Sequence, residues 1–252
     1  MRPPSRRLAE GLVTHIDRTP VDVVEALREW HGYVAALQAA GWRTIEVDAA
    51  ADCPDSVFVE DTMVVFRDLA VLARPGADQR KPEVAGAAQA VRSLGYRTVT
   101  IRAPGTLDGG DVLKVGSTVY VGLGGRTNAA GIGQLAAALT PLGATVVTVP
   151  ITKVLHLKSA VTALPDGTII GWAPAVDDPS VFPSFVPMPE ESGAHVVVLD
   201  DTHLLMSADA PRSAALLASR GYTVVPVDIG EYIKLEGCVT CLSVRLREAP
   251  GQ

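Results

Sequence analysis

The sequence predicts an α/β fold built from about five copies of one unit, in which a strand, a hairpin and a helix follow one another. Two observations predict it. Glycines at four positions end a segment of helical periodicity and precede a run of β-branched residues, at Gly41, Gly95, Gly143 and Gly221. Each run leads to further strand-like segments, most of them joined by short polar turns. Closing such units into a ring protects the edges of their sheets.

The N-terminal part of the chain supplies the first helix. A threonine cap followed by proline predicts that this helix begins at Thr19, and Gly41 ends it. A strand is predicted directly afterwards, over residues 42–47. Residues 12–16 are expected to form a short strand that completes the last unit, or a mobile segment. Later helices are predicted around residues 83–94, 129–142 and 211–220.

Four hairpins are predicted from their turn residues. They pair residues 57–66 with 69–73, 112–115 with 119–122, 160–164 with 168–171, and 196–199 with 203–206. The last unit is predicted as a strand over residues 236–244 and on to 246. The long gap between Gly143 and Gly221 predicts a degenerate copy near residues 185–187 or 193–199. No linker divides the chain, so we expect a single catalytic domain over residues 1–252, with residues 1–10 flexible.

Composition limits the classes of partner. The chain has 252 residues, of which 48% are hydrophobic, and a net charge of −6, which argues against nucleic acid or an anionic membrane as partner. No apolar run reaches membrane-spanning length, and the charged N-terminus lacks the apolar core of a signal peptide. Three cysteines make no disulfide framework, so we expect a cytoplasmic protein.

Four chemically capable side chains lie at repeated distances from the unit glycines. Asp108 and His156 lie thirteen residues after Gly95 and Gly143. Asp61 and Cys241 lie twenty residues after Gly41 and Gly221. Equivalent positions of a pseudo-symmetric ring converge on its axis, so we expect these side chains to meet. A cysteine attacks as the thiolate, a histidine transfers protons, and carboxylates orient the histidine or hold a cation.

Each of these residues also has a purely structural explanation. Cys241 on an apolar strand is a typical core residue, Asp108 lies in a turn-like LDGGD sequence, and His156 suits a half-buried position. The Cys238-x-x-Cys241 spacing can mark a redox pair or half a zinc site, but on a strand the two side chains face opposite sides. A glycine-rich stretch at residues 122–127 lacks the third glycine of a dinucleotide loop, so we expect no nucleotide.

Five motifs in order resemble the dimethylarginine dimethylaminohydrolases, members of the pentein superfamily of guanidine-modifying enzymes. The motifs are PDSVFVED (residues 54–61), LDGGDV (107–112), GRTN (125–128), LHLKS (155–159) and EGCVTCLSV (236–244). The resemblance implies a five-bladed, pseudo-symmetric α/β propeller of ββαβ repeats. It also implies hydrolysis of Nω-methylated arginine to citrulline through a covalent thiouronium on the cysteine.

The resemblance assigns a role to each matching residue. Cys241 is the nucleophile, His156 the general acid and base, and Asp108 and Asp61 hold the guanidinium. The other substrate contacts that it implies are Asp55 with Leu12 and Leu235 for the ammonium, Arg80 and Arg126 for the carboxylate, and Glu60 without a defined role. It implies no cofactor and no metal, and a small-molecule substrate bound by a monomer or homodimer.

Three other functions are compatible with parts of the sequence. An arginine deiminase or an amidinotransferase has similar motifs, but those chains are usually longer. A non-catalytic pentein that binds a partner such as the ribosome leaves the coincidence of the cysteine, the histidine and the two acids unexplained. A nucleotide-binding α/β enzyme requires the missing glycine.

Overall fold

The computed structural model describes residues 1–247, and in this part of the chain the strands form four three-stranded sheets. Residues 248–252 of the expected single domain lie outside the description. In each sheet an antiparallel hairpin is extended by a third strand parallel to its second. The strands are β1 (Met63–Phe66), β2 (Leu69–Leu72), β3 (Arg97–Thr100), β4 (Val112–Val115), β5 (Thr118–Leu123), β6 (Thr145–Pro150), β7 (Val161–Ala163), β8 (Ile169–Gly171), β9 (Phe185–Pro187), β10 (Val196–Val198), β11 (His203–Ser207) and β12 (Thr223–Val227).

A helix makes the parallel crossover in three of these sheets. The α-helices are α1 (Val23–Ala39), α2 (Val84–Ser93), α3 (Ala129–Leu139), α4 (Pro211–Ser219) and α5 (Gly230–Ile233). In the third sheet two 3-10 turns, Ala173–Ala175 and Pro179–Val181, take the place of the helix. This is the degenerate copy that the sequence predicts, with residues 185–187 as its last strand.

The predicted hairpins and unit glycines are confirmed. Each hairpin forms with the expected partners, and most strand ends lie within a residue of the prediction, but β1 begins six residues later than predicted. All four unit glycines have a positive φ, between 85° and 93°. This left-handed conformation suits glycine because it has no Cβ. At Gly95, Gly143 and Gly221 it turns the chain from the helix toward the third strand of the sheet.

The fifth unit departs from the prediction. Among the described residues, no strand is assigned over residues 12–16, 42–47 or 236–246. The strands predicted over residues 42–47 and 236–246 are therefore wrong, as is the strand alternative for residues 12–16. At residues 42–47 the N-terminus supplies part of the missing pairing. The Met1 ammonium donates to the Ile45 carbonyl at 2.8 Å, and the Val47 N–H donates to the Met1 carbonyl at 2.8 Å.

The start of the chain is packed, which corrects two further expectations. Arg2 is only 1% exposed and its guanidinium donates to three main-chain carbonyls, so residues 1–10 do not extend freely from the body. Helix α1 begins three residues later than a Thr19 cap predicts. Its N-cap is Asp22, whose carboxylate accepts hydrogen bonds from the N–H groups of Val24 and Glu25.

Buried apolar side chains form five clusters in the described part of the chain, matching the number of units. In the fifth unit, α1 packs its buried face directly against the turn that holds Cys238 and Cys241. Tyr33 anchors this contact, because its hydroxyl donates to the Val239 carbonyl at 2.9 Å. Across residues 1–247, no helix has both the length and the apolar character needed to cross a bilayer.

Candidate active site

Short 3-10 turns precede the first strand in three sheets and bring three of the predicted residues together. The turns are Val59–Thr62, Gly109–Asp111 and Leu157–Ser159. Asp61 lies within the first, and Asp108 and His156 immediately precede the other two. One carboxylate oxygen of each acid and one imidazole nitrogen all lie within 4.8 Å of one another, and all three residues are buried. The convergence predicted from the repeat is therefore confirmed for these residues.

Close packing at Gly110 holds the cluster together. Its N–H donates to Asp61 Oδ1 at 2.8 Å. A Cβ at this position would lie 2.6 Å from both Asp61 Oδ1 and His156 Nδ1. The second glycine of the LDGGDV motif is therefore required by the close approach of the two side chains, rather than by a turn conformation.

The His156 imidazole is surrounded by carboxylates. Its Nε2 lies 3.0 Å from Asp108 Oδ2, and its Nδ1 lies 3.8 Å from Asp61 Oδ1. Burial favours the neutral ring, but the charges of Asp61 and Asp111 and the hydrogen bond with Asp108 outweigh it and raise the pKa of His156 to about 9. The ring is therefore an imidazolium at neutral pH and can donate a proton.

Asp111 is a third acid beneath the imidazole, and the sequence does not single it out. It is fully buried, its Oδ1 accepts the Leu157 N–H at 3.0 Å, and its Oδ2 has no hydrogen-bond partner. Burial raises the pKa of Asp111 to about 6, so its charge supports the imidazolium above that pH. Its place in LDGGDV, three residues after Asp108, is the only sequence signal.

Arg80 and Asp61 form a buried ion pair with 2.6 Å between Nη1 and Oδ2. The same guanidinium also binds Glu83 through two nitrogens and the carbonyls of Asp55 and Phe58. Burial opposes ionisation of Asp61, but His156 and Arg80 together lower its pKa to about 2. Asp61 is therefore a carboxylate at neutral pH and can hold a cation.

Arg126 has the free donor that Arg80 lacks. Its Nη1 is buried without a hydrogen-bond partner and lies 3.6 Å from Asp108 Oδ2. In the wall of the same pocket, both oxygens of Asp55 accept the Leu12 N–H, at 3.0 and 3.2 Å. Burial raises the pKa of Asp55. Leu235 completes this wall, so the pocket has a cationic and an anionic anchor.

The turn around Cys241 contains a correction. Cys241 borders the same pocket as His156, Asp61 and Arg126, which agrees with the predicted convergence. However, the residues form a tight turn instead of a strand, with the Cys241 N–H donating to the Cys238 carbonyl at 3.0 Å. The two sulfurs do not face opposite sides, since they lie 3.4 Å apart.

The two thiols share a hydrogen bond that separates their pKa values. The bond from Cys241 lowers the pKa of Cys238 to about 5, while Cys238 and burial raise the pKa of Cys241. One sulfur of the pair thus ionises early and the second retains its proton. A thiolate on Cys241 therefore requires that Cys241 gives up this proton, and the Cys238 sulfur lies 3.4 Å away to accept it.

Glu60 does not reach the pocket, contrary to the expectation of a substrate contact. Its carboxylate points to the other side of the 3-10 turn, where Oε1 lies 2.6 Å from Lys158 Nζ. Only its main chain touches the catalytic region, since its N–H donates to the Cys241 carbonyl at 3.1 Å.

The pocket is nearly closed in this structure, with a cavity volume of about 20 Å³. The N–H groups of Thr14 and His15 donate to the Glu236 carboxylate and hold residues 12–16 against the pocket.

Comparison with known proteins identifies the class. The family model described as arginine deiminase matches residues 49–227. A dimethylarginine dimethylaminohydrolase from Streptomyces coelicolor is 65% identical over 98% of this chain and 96% of its own length. The chain therefore belongs to the arginine deiminase family and, within it, to the dimethylarginine dimethylaminohydrolases.

Solved structures agree with the fold. The Pseudomonas aeruginosa enzyme, a cysteine-to-serine variant complexed with citrulline, has a TM-score of 0.90 and 33% identity, covering 97% of each chain. A histidine-to-glycine variant of a dimethylarginine dimethylaminohydrolase, in an adduct with S-methyl-L-thiocitrulline, has a TM-score of 0.91 and 32% identity over the same coverage. The predicted pentein propeller is thereby confirmed.

Proposed function

We propose that this protein hydrolyses Nω-methylated arginine to citrulline and a methylamine. The observation that carries the proposal is one pocket that brings the Cys241 thiol, the imidazolium of His156 and two carboxylates together with a cationic and an anionic anchor. The citrulline complex and the thiocitrulline adduct of the two related structures support it. An α-amino acid with a guanidinium on its side chain complements each of these groups.

Each end of the substrate has a matching partner. Asp61 and Asp108 hold the guanidinium, because their oxygens converge where a cation fits. Asp55, with the main chain of Leu12 and Leu235, takes the ammonium. Arg126 takes the carboxylate through its free Nη1. The donors of Arg80 already bind protein acceptors, so Arg80 adds positive charge at that end and orients Asp61.

The reaction begins when the Cys241 thiolate attacks the guanidinium carbon. His156 protonates the departing nitrogen, the C–N bond breaks, and dimethylamine leaves a positively charged thiouronium on the sulfur. The neutral imidazole then takes a proton from water as the water oxygen adds to the same carbon. The C–S bond breaks, the ureido carbonyl of citrulline forms, and the amine takes up the net proton released.

The proposal is tested by incubating the protein with asymmetric dimethylarginine, monomethylarginine and arginine, and measuring citrulline. Production from the methylated substrates is expected, and production from arginine alone would favour the deiminase function instead. Cys241→Ser should lose activity, whereas Cys53→Ser, which changes a buried thiol outside the pocket, should retain it. No citrulline from any of the substrates would exclude the proposed function.

The chemistry also favours a location and a mode of action. Cys53, Cys238 and Cys241 are free thiols, and nucleophilic attack requires a reduced Cys241, so we place the enzyme in the cytoplasm. The pocket groups described above come from a single chain, so a monomer suffices for them and a homodimer is compatible with them. The reaction needs no nucleic acid, membrane, metal or cofactor.

A further inference from the structure

A second cavity of about 500 Å³ lies behind the catalytic pocket. Neighbouring residues of the same turns face opposite ways. Asp61 and Cys241 border the catalytic pocket, whereas the adjacent Glu60 and Thr240 border the second cavity. Among residues 1–247, no residue borders both spaces. The second cavity is therefore a separate space within the ring.

The lining of this cavity is strongly basic. It contains one acidic side chain, Glu60, and five cationic ones, namely Arg67, Lys114, Lys158, Arg245 and Arg247. The whole chain has a net charge of −6, so this concentration of positive charge is opposite to the average of the molecule. The cations come from separate units of the repeat and converge only because the ring closes around them.

Glu60 neutralises only part of this charge. Its Oε1 binds both Lys158 Nζ at 2.6 Å and Arg245 Nη2 at 2.5 Å, while its Oε2 has no hydrogen-bond partner. Two cations therefore share one carboxylate oxygen. One negative charge therefore stands against five positive charges in the lining of the cavity.

The other three cations form no ion pair with any acid in the described part of the chain. Lys114 Nζ donates to the Val65 carbonyl, and Arg247 Nη2 donates to the Val198 carbonyl. Arg67 lies over the Phe66 ring, 5.7 Å from its centroid. Main-chain carbonyls and a ring face solvate these cations but do not neutralise them.

Lys114 shows how strongly the cations affect one another. Lys114 is exposed to solvent and borders the cavity. Burial and the charges of Lys158 and Arg245 outweigh the attraction of Glu60 and lower the pKa of Lys114 to about 7. An anion in the cavity would reverse this repulsion.

We infer that this cavity is a binding site for a small multivalent oxyanion, of the phosphate or polycarboxylate class. A multivalent anion carries several negative charges, so it can compensate more than one of the unpaired cations that line the cavity. The cavity has the size of a small-molecule site, typically about 300–1,000 Å³. The inference does not depend on the hydrolase reaction, because it rests on residues outside the catalytic pocket.

Calorimetric titration of the full chain with pyrophosphate and with citrate, at constant ionic strength set by sodium chloride, tests the inference. The two titrations distinguish a phosphate from a polycarboxylate ligand. Lys114→Met should weaken binding about tenfold or more, because it removes a charge-assisted hydrogen bond. Lys114→Arg should preserve binding. Arg220→Met, which removes the same charge from an exposed position at the end of α4, should have no effect.

Two further measurements keep the test decisive. If Lys114→Met fails to fold, Arg67→Gln at the exposed hairpin turn should weaken binding in its place. Binding should also take up protons near pH 7, which titrations in two buffers of different ionisation enthalpy measure. Absence of binding by the wild-type protein, or equal losses in Lys114→Met and Arg220→Met, would overturn the inference.

Discussion

The two halves of the catalytic site are built in different ways. Asp61 lies within a 3-10 turn, and Asp108 and His156 immediately precede equivalent turns. Each turn enters a regular hairpin, so the repeat itself places these residues. Cys238 and Cys241 lie on a tight turn without strands, and a helix outside the four sheets packs against it. Backbone regularity positions the acid–base half, whereas side-chain packing positions the nucleophile.

Gly110→Ala should have the largest effect, because it disturbs the half that depends on backbone regularity. The new methyl group would lie 2.6 Å from both Asp61 Oδ1 and His156 Nδ1, and must displace one of them. Displacing a reacting group by about 1 Å can reduce the rate about a hundredfold. Steady-state citrulline production should show this loss mainly in kcat.

Gly133→Ala is the matched control. Gly133 lies in the middle of α3, where an added Cβ meets nothing within 4 Å. This substitution should leave activity unchanged and stabilise the helix by about 0.5–1 kcal/mol. Equal activities of the two alanine variants would show that the contact at Gly110 is unimportant.

Cys238→Ser tests the nucleophile half. The shared hydrogen bond allows the sulfur pair to lose its first proton early, with the pKa of Cys238 lowered to about 5. A serine hydroxyl cannot ionise in this range, so Cys241 must lose its own proton. We expect the acid limb of kcat/KM against pH to move upward, with about a tenfold loss near neutral pH and a smaller loss at higher pH.

The same experiment on Cys53→Ser should leave the pH profile unchanged, because Cys53 lies outside the pocket. Coincident profiles for wild-type and Cys238→Ser proteins would show that Cys241 ionises without its neighbour. If the two cysteines faced opposite sides of a strand, Cys238→Ser would retain full activity. The sulfurs instead lie 3.4 Å apart, so we expect the substitution to reduce activity.

Asp111→Asn tests how the acid–base half holds its proton. The raised pKa of His156, about 9, keeps the imidazolium at neutral pH, and activity should fall as pH rises through that value. Asp111 contributes to the shift by its charge. The amide keeps an oxygen that can accept the Leu157 N–H but lacks the charge, so the alkaline limb should move to lower pH. An unchanged alkaline limb would show that Asp111 is only structural.

These differences explain what the sequence can predict. The unit glycines predict the sheets because a left-handed residue after a helix is a local requirement, and the repeat register then predicts the meeting of Asp108, His156 and Asp61. The turn at residues 236–244 is not predictable in this way. Its apolar and β-branched composition is typical of a strand, but burial against α1 determines its conformation.

Burial also explains why Glu60 and Asp111 differ from the expectation. Both are acids next to motif residues, and sequence proximity to Asp61 or Asp108 does not show which side of a 3-10 turn a side chain faces. In the structure Glu60 faces the basic cavity and Asp111 faces the imidazole. Only the three-dimensional packing of the turns distinguishes the two positions.

Tyr33→Phe should have the smallest effect on catalysis and tests whether packing alone holds the nucleophile turn. The Tyr33 hydroxyl donates to the Val239 carbonyl at 2.9 Å and lies 2.8 Å from Ser243 Oγ, all in the buried interior. Removing the hydroxyl leaves a buried carbonyl without that donor, which costs about 1–3 kcal/mol of unfolding free energy. Urea denaturation measures the loss, and Phe66→Leu, a volume change in a regular strand outside this cluster, serves as the comparison.

The effect on kcat decides what holds the nucleophile turn. If the turn depends on this hydrogen bond, kcat should fall a few-fold with the stability. If apolar contacts with α1 suffice, stability should fall while kcat stays constant. We expect the second result, because Ala26, Trp30 and Leu37 contact the same cluster and remain in place.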